Sequence, residues 1–518
     1  MPPIAFTADE FAGLAAGHGS AAALGKLAAG QLVRRRLLLW GVVREARAAA
    51  LPVRDAVDLL LRVQARSAGT VADMLAHPQV DAWAADFPRT RALGYLHALA
   101  AAAAIRAGVP FTIDVPAAAG AVTLPGLGAL AGAGDPVRLA FDGERLTADG
   151  SPAPLRARRS IDLGDVGGPV VAIEDVDQYR AQYRLPVAEP GAGHDRFAAL
   201  WRAAWPLLAT DHPAHARAVR LLVRSFVPLA APAGGAEHSA SSGRAVGAIA
   251  LALPRTAESM ALLVLHETQH LKLSSLLHLV DLDQRSQALY HAPWRADPRP
   301  FRGLLQGTYA HLGVTDFWRG RSAVQFAYWH GQTSRAAATL DGARELTAAG
   351  ARFVAGMRAT LDGWAGEPVP EAARRVAGVC IQVSGARWRL AHRAVGSDGL
   401  NRLTDAWAAG SAVPPGAAGT ERAGAGADAR ILAALRNDRP ALPAGDRALL
   451  AGDARRAAES YAATINSGTG GDDDWAGLAV ALGAPDRPEL PRDLHAALAA
   501  TGPAPDPRDV VRWCAGGR

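Results

Sequence analysis

Lysine is nearly missing from this chain of 518 residues: Lys26 and Lys272 are the only two, against 53 arginines. Together with 54 Gly and 34 Pro, that substitution of arginine for lysine reads as the coding bias of a GC-rich genome. The formal charge of +6 therefore carries little functional meaning by itself. The arginines are interleaved with acids, with short runs only at Arg34–Arg36 and Arg156–Arg159, and no basic-aromatic motif accompanies them. Nucleic-acid binding is not expected. Cysteine is equally scarce. Cys380 and Cys514 lie far apart, which excludes a Cys-ligated zinc site and fits a reducing compartment. No apolar run approaches the roughly 18 residues of a membrane span. The best candidate, Leu96–Ile105, is alanine-rich and stops at Arg106. The expectation is a soluble, cytoplasmic protein with no membrane partner; the N-terminus offers the capping-box pattern Thr7-Ala-Asp-Glu10 in place of a secretory signal.

What is present is apolar residues in quantity, half of the chain, enough for several cores. Residues 1–110 carry helical periodicity, as in Leu37, Leu38, Trp40, Val43 and Ala46. Residues 111–180 change character: Phe111–Val115, Val137–Phe141, Glu144–Thr147 and Val170–Ile173 are short β-type runs divided by Gly/Pro clusters and an Asp142-Gly143 turn. Helices resume from about Phe197 to Arg224, followed by a Pro/Gly-rich break at 228–235, a short strand at Gly247–Leu253 and a long helix from Ala257 to about Leu282. The predicted organisation is a helical region (1–110), a small β-rich element (111–180), a metal-binding catalytic domain (181–350), a helical extension (351–410), a linker (411–428) and a C-terminal helical region (429–518). The fold class is mainly α with a small β-rich element (α+β). A strand followed by a metal-binding helix forms its core, in the manner of zincins.

The strongest chemical signal is His266-Glu267-Thr268-Gln269-His270, within that long apolar helix. Residues four apart on a helix differ by about 40° in azimuth, so both imidazoles project from one face and can share a metal. Burying two histidines and a glutamate among leucines is costly unless a partner satisfies them. Glu267, one position along, can act on metal-bound water or orient a ligand. The third ligand is open. His278 lies too far along the axis, no third histidine follows at metzincin spacing, and the next glutamate is Glu345. His311, on the following helix, leads; Asp281, Asp283, Asp297 and His291 are alternatives. Such a donor set suits iron(II) as well as zinc.

Several separated motifs occur in order: Ile173-Glu-Asp-Val-Asp-Gln-Tyr-Arg180, Ser239-Ala-Ser-Ser242, Leu265-His-Glu-Thr-Gln-His-Leu-Lys272, Ala292-Pro-Trp-Arg-Ala-Asp-Pro-Arg-Pro300 and Gly303-Leu-Leu-Gln-Gly-Thr-Tyr309. Across roughly 170–335 the chain resembles the HExxH-motif proteins found beside ribosomally made peptide precursors. That resemblance implies an Fe(II)- and 2-oxoglutarate-dependent peptide β-hydroxylase, with iron on His266 and His270, O2 as co-substrate and a precursor peptide as partner. The arginine-rich segment 293–300 would lie by the active site. A 2-oxoglutarate site needs a cation for the distal carboxylate, and Arg299, Arg295 and Arg302 are the candidates. The His-x-Asp signature of double-stranded β-helix oxygenases does not occur, so a barrel of that kind is not expected. Two other readings stay open: a zinc metallopeptidase with Glu267 as general base, and a metal-stabilised binding or scaffold protein.

Overall fold

A computed structural model describes residues 4–516 apart from 119, 133, 232–236, 423, 425 and 436–441. The chain divides into two compact units, Met1–Gln284 with Thr347–Met357, and Arg285–Leu346 with Arg358–Arg518. The fold is mainly α with small sheets, as the sequence predicts.

The first unit opens with six helices: α1 (Ala8–Ala15), α2 (Ala21–Ala48), α3 (Arg54–Arg66), α4 (Ala68–Leu75), α5 (Pro78–Thr90) and α6 (Gly94–Ala107). The capping box at Thr7 forms, with Thr7 Oγ1 accepting from Glu10 N and Glu10 Oε2 accepting from Thr7 N. Helix α6 buries Ala98–Ala104 completely or nearly so. Its alanines let α3 and two strands from separate sheets, β1 (Phe111–Val115) and β2 (Ala121–Leu124), approach closely. Gly94 is obligatory there, since a Cβ would stand 2.3 Å from the Pro116 carbonyl oxygen. Strands β3 (Gly128–Ala131), β4 (Val137–Phe141), β5 (Leu146–Ala148), β6 (Ser151–Pro152) and β7 (Arg156–Ala157) complete two small antiparallel sheets.

The sheet that positions the metal helix has five strands. It uses β8 (Arg159–Asp162), β9 (Val170–Ile173), β10 (Ser225–Leu229), β11 (Ser239–Ser241) and β12 (Ala248–Ala252), in the order β11-β12-β10-β9-β8. β10 runs parallel to both β9 and β12, and the two edges are antiparallel. Helices α7 (His194–Asp211) and α8 (Pro213–Leu222) come between β9 and β10. The sequence reading ended a helix at Arg224 and placed a break at 228–235. Ser225–Leu229 is instead a fully buried strand, and 232–235 fall outside the described residues. Pro228 is tolerated because its carbonyl accepts from Ala188 N on the side away from β12, so its missing N–H costs β12 nothing.

Helix α9 (Ala257–Leu277) leaves β12 after Thr256, whose hydroxyl accepts from Ser259 N at 3.1 Å. Met260, Val264, Leu265, Leu271, Leu273 and Leu276 are all buried. The helix is apolar on most sides because α7, α8 and α2 cover it on some faces and β11 and β12 on others.

The second unit is helical. After β13 (Leu289–Tyr290) and β14 (Arg299–Pro300) come α10 (Phe301–Trp318), α11 (Ala323–Asp341), α12 (Ala348–Trp364), which crosses the unit boundary, and α13 (Glu371–His392). β15 (Arg393–Ala394), α14 (Ser397–Ala408), β16 (Thr420–Glu421), α15 (Ala444–Ala451), α16 (Ala454–Asn466), α17 (Asp472–Ala481), α18 (Glu489–Thr501) and α19 (Pro507–Cys514) follow. α13 is the pillar of this unit, packed by α11, α17 and α15. Within 411–428, β16 pairs with β15, while 423 and 425 fall outside the described residues. Among the described residues no helix is long and apolar enough to cross a membrane.

Candidate metal centre

On α9 the helical register brings His266 Nε2 to 3.2 Å from His270 Nε2, with the rings at 81°. Two ligand atoms on one metal, each bonded at about 2.1 Å, stand about 3.0–3.4 Å apart for octahedral or tetrahedral angles. The pair therefore fits adjacent positions on a single ion. Burial, then the neighbouring His270, draws the His266 imidazole down to about 4, with Glu267 opposing. His266 is neutral at pH 7 and keeps the lone pair that ligation requires.

Glu267 is buried, and its Oε1 accepts from Ser239 Oγ at 2.7 Å. Ser239-Ala-Ser-Ser242, one of the ordered motifs, contains no β-branched residue to announce a strand. Ser239–Ser241 is the antiparallel edge strand β11, and Ser239 anchors the motif glutamate. Glu267 Oε2 is buried without a hydrogen-bond partner among the described residues. Tyr183 is a residue the sequence reading missed: its hydroxyl is buried without a hydrogen bond among the described residues, and its ionisation is pushed up by burial, then by Glu267 and Glu174. A tyrosine at the end of a polar turn gives no signal of its own. Lys272, two residues past His270, is buried and donates to the carbonyls of Gly17 and His18.

The remaining candidates divide between the units. Asp281 and Asp283 follow α9 in the first, and the Asp281 carbonyl accepts from Thr347 Oγ1 at 2.7 Å. His311 belongs to the second, on α10, where its Nδ1 donates to the Gly307 carbonyl at 2.8 Å. A carbonyl only accepts, so the proton sits on Nδ1 and the lone pair on Nε2, the tautomer used by metal-binding histidines. Its ring stacks on Trp294 at 4.1 Å and packs against Trp329 at 4.8 Å. Also in the second unit, Arg295 Nε and Arg299 Nη1 both donate to Asp297, at 2.8 and 3.0 Å. That pairing commits Asp297 to the two guanidiniums, which keep further donors of their own. Arg302 lies in the first turn of α10. His291 stacks on Trp388 at 4.3 Å.

No family model matches this chain, and no curated protein matches it.

Proposed function

We propose that the protein is an Fe(II)- and 2-oxoglutarate-dependent oxygenase that hydroxylates the side-chain Cβ of a residue in a ribosomally made precursor peptide, in the cytoplasm. The observation that carries the metal assignment is the 3.2 Å separation of two imidazole nitrogens on one buried helix. The choice of oxygenase rests on the resemblance of the ordered motifs, and the geometry at Glu267 favours it. One oxygen of that carboxylate is already bound by Ser239 and the residue is 3% exposed. A general base for peptide hydrolysis needs access to water.

Bound iron supplies O2 activation coupled to decarboxylation of the 2-oxo acid. The work of the chain is to hold and orient. His266 and His270 provide two ligands, and on sequence grounds alone His311 is the candidate for the third. Ser239 and Glu267 brace α9 against β11. Arg299, 39% exposed and bonded to Asp297 through Nη1, keeps other donors for a distal carboxylate, with Arg295 and Arg302 as alternatives.

A second reading, a zinc peptidase, has one specific observation in its favour: Glu267 Oε2 is buried without a hydrogen-bond partner among the described residues, as a base awaiting water would be. The two separate in one experiment. Anaerobic protein given Fe(II) and 2-oxoglutarate is expected to develop a charge-transfer band, and O2 to yield a precursor peptide one oxygen heavier. Zinc-dependent cleavage with no band would overturn the oxygenase. Unchanged iron stoichiometry in His311→Ala would remove His311 from the ligand set.

A further inference from the structure

A second group of metal-ligating side chains lies in the first unit, outside the HExxH motif. His77 precedes α5, Glu174 follows β9, and Asp177 caps the 3-10 turn Gln178–Tyr183. His77 Nε2 stands 3.4 Å from Asp177 Oδ2 and 3.5 Å from Glu174 Oε2. The three side chains are 6%, 1% and 0% exposed. One donor atom from each falls within 4.8 Å of the others.

What distinguishes this group from an ordinary ion-pair cluster is what its atoms do not do. His77 Nδ1 and Nε2 and Glu174 Oε2 are buried with no hydrogen-bond partner among the described residues. Buried polar atoms are normally satisfied, and each that is not costs about 1–3 kcal/mol. The atoms around them are satisfied and hold the group in place. Tyr95 donates its hydroxyl to Asp177 Oδ2 at 2.7 Å, Tyr179 N donates to Asp177 Oδ1 at 2.8 Å, and Asp177 N donates to Glu174 Oε1 at 3.2 Å. These contacts orient both carboxylates, as the outer hydrogen bonds of metal ligands do.

The spacing is also that of ligands. Around a tetrahedral ion with bonds of about 2.1 Å, ligand atoms are about 3.4 Å apart. Two buried carboxylates face His77, and Arg158 Nη1 stands 3.5 Å from Glu174 Oε2. His77 and Arg158 also line a cavity of about 230 Å³, shared with Asp73, Arg106 and Arg224.

We propose that His77, Glu174 and Asp177 form a second metal site, for a divalent first-row ion of the zinc type, with Tyr95 as a positioning residue behind Asp177. One imidazole nitrogen and two carboxylate oxygens are ligands that zinc accepts, and a fourth position stays open to water. The site does not depend on the chemistry assigned to His266 and His270.

The test removes the first site to expose the second. Full-length protein carrying His266→Ala and His270→Ala is stripped with a chelator, dialysed against Zn(II) and assayed by elemental analysis, with circular dichroism as the check on folding. About one equivalent of zinc should remain, as expected for a preformed three-ligand site. Adding His77→Gln or Glu174→Gln should abolish it, and Tyr95→Phe should weaken Zn(II) affinity by about 10- to 100-fold. Should the His77 and Glu174 variants fail to fold, Tyr95→Phe decides by the same titration. A folded double variant that retains no zinc overturns the proposal, as does a folded His77→Gln form that retains as much, or an unweakened Tyr95→Phe. The HExxH site is read separately, from the metal that the unsubstituted protein holds in excess of the double variant.

Discussion

Ser239 and Glu267 are joined by a 2.7 Å hydrogen bond from the serine hydroxyl to Glu267 Oε1, which ties the edge strand β11 to the helix that carries both histidines. In the oxygenase reading Glu267 is a positioning residue, so Glu267→Gln should still yield hydroxylated peptide. Its activity or iron affinity should fall by about 10- to 100-fold, the usual effect of disturbing an outer partner of a metal ligand. Ser239→Ala should change activity in the same direction by less. A peptidase whose general base is Glu267 would lose about 10²–10⁴ in hydrolysis with zinc still bound. Mass spectrometry of the peptide alongside metal analysis separates these outcomes.

Gly307 allows Trp294 to lie on α10. A Cβ at 307 would stand 2.5 Å from Trp294 Cζ2, and the same tryptophan stacks on His311. Gly307→Ala is expected to cost about 1–3 kcal/mol through overpacking. It should also shift tryptophan emission. If His311 is an iron ligand, iron affinity should fall with it; a drop in stability with iron affinity intact would mark Trp294 as packing alone.

Both cysteines should be inert in the native protein. Cys380 is completely buried and Cys514 nearly so, and burial pushes each thiol up to about 12. Since the thiolate is the reactive form, a thiol reagent at pH 7.5 should label neither until denaturant is added, and then both. Rapid native labelling would contradict the burial.

Burial, then Arg335 and His392, draws the His291 imidazole down to about 4 from its ordinary 6.5. The unfolded chain takes up this proton more readily than the folded one. His291 therefore subtracts nothing above about pH 6.5, and stability should decline as pH falls from there toward about 4. NMR titration should find its imidazole still neutral at pH 5.5. In His291→Gln the acid-side loss of stability, followed by urea unfolding, should be shallower.

The parts of the fold set by local pattern were legible in the sequence. The Thr7 capping box, the strands around Phe111–Val115, Val137–Phe141 and Val170–Ile173, and the strand-then-helix arrangement ending in α9 all follow from periodicity and capping residues. What was hidden depends on neighbours. Ser225–Leu229 contains Pro228, which argues against a central strand unless one knows that the proline's nitrogen faces away from β12. Ser239–Ser241 has no β-branched residue and becomes a strand only because β12 offers its edge. At the site, His266 and His270 were visible because four residues is a helical repeat. His77 and Asp177 are a hundred residues apart in sequence, and nothing short of the fold brings them together.

The carbonyls of Gly17 and His18 receive the Lys272 ammonium across 255 and 254 residues of chain. The turn after α1 leaves the ribosome some 255 residues ahead of its partner. A buried ammonium without those carbonyls would be costly, so α9 has no finished seat until the first twenty residues come back to it. Long closures of this kind are formed late in folding. Any metal that the histidine pair two and six residues before Lys272 holds is then taken up only after the turn following α1 has met α9.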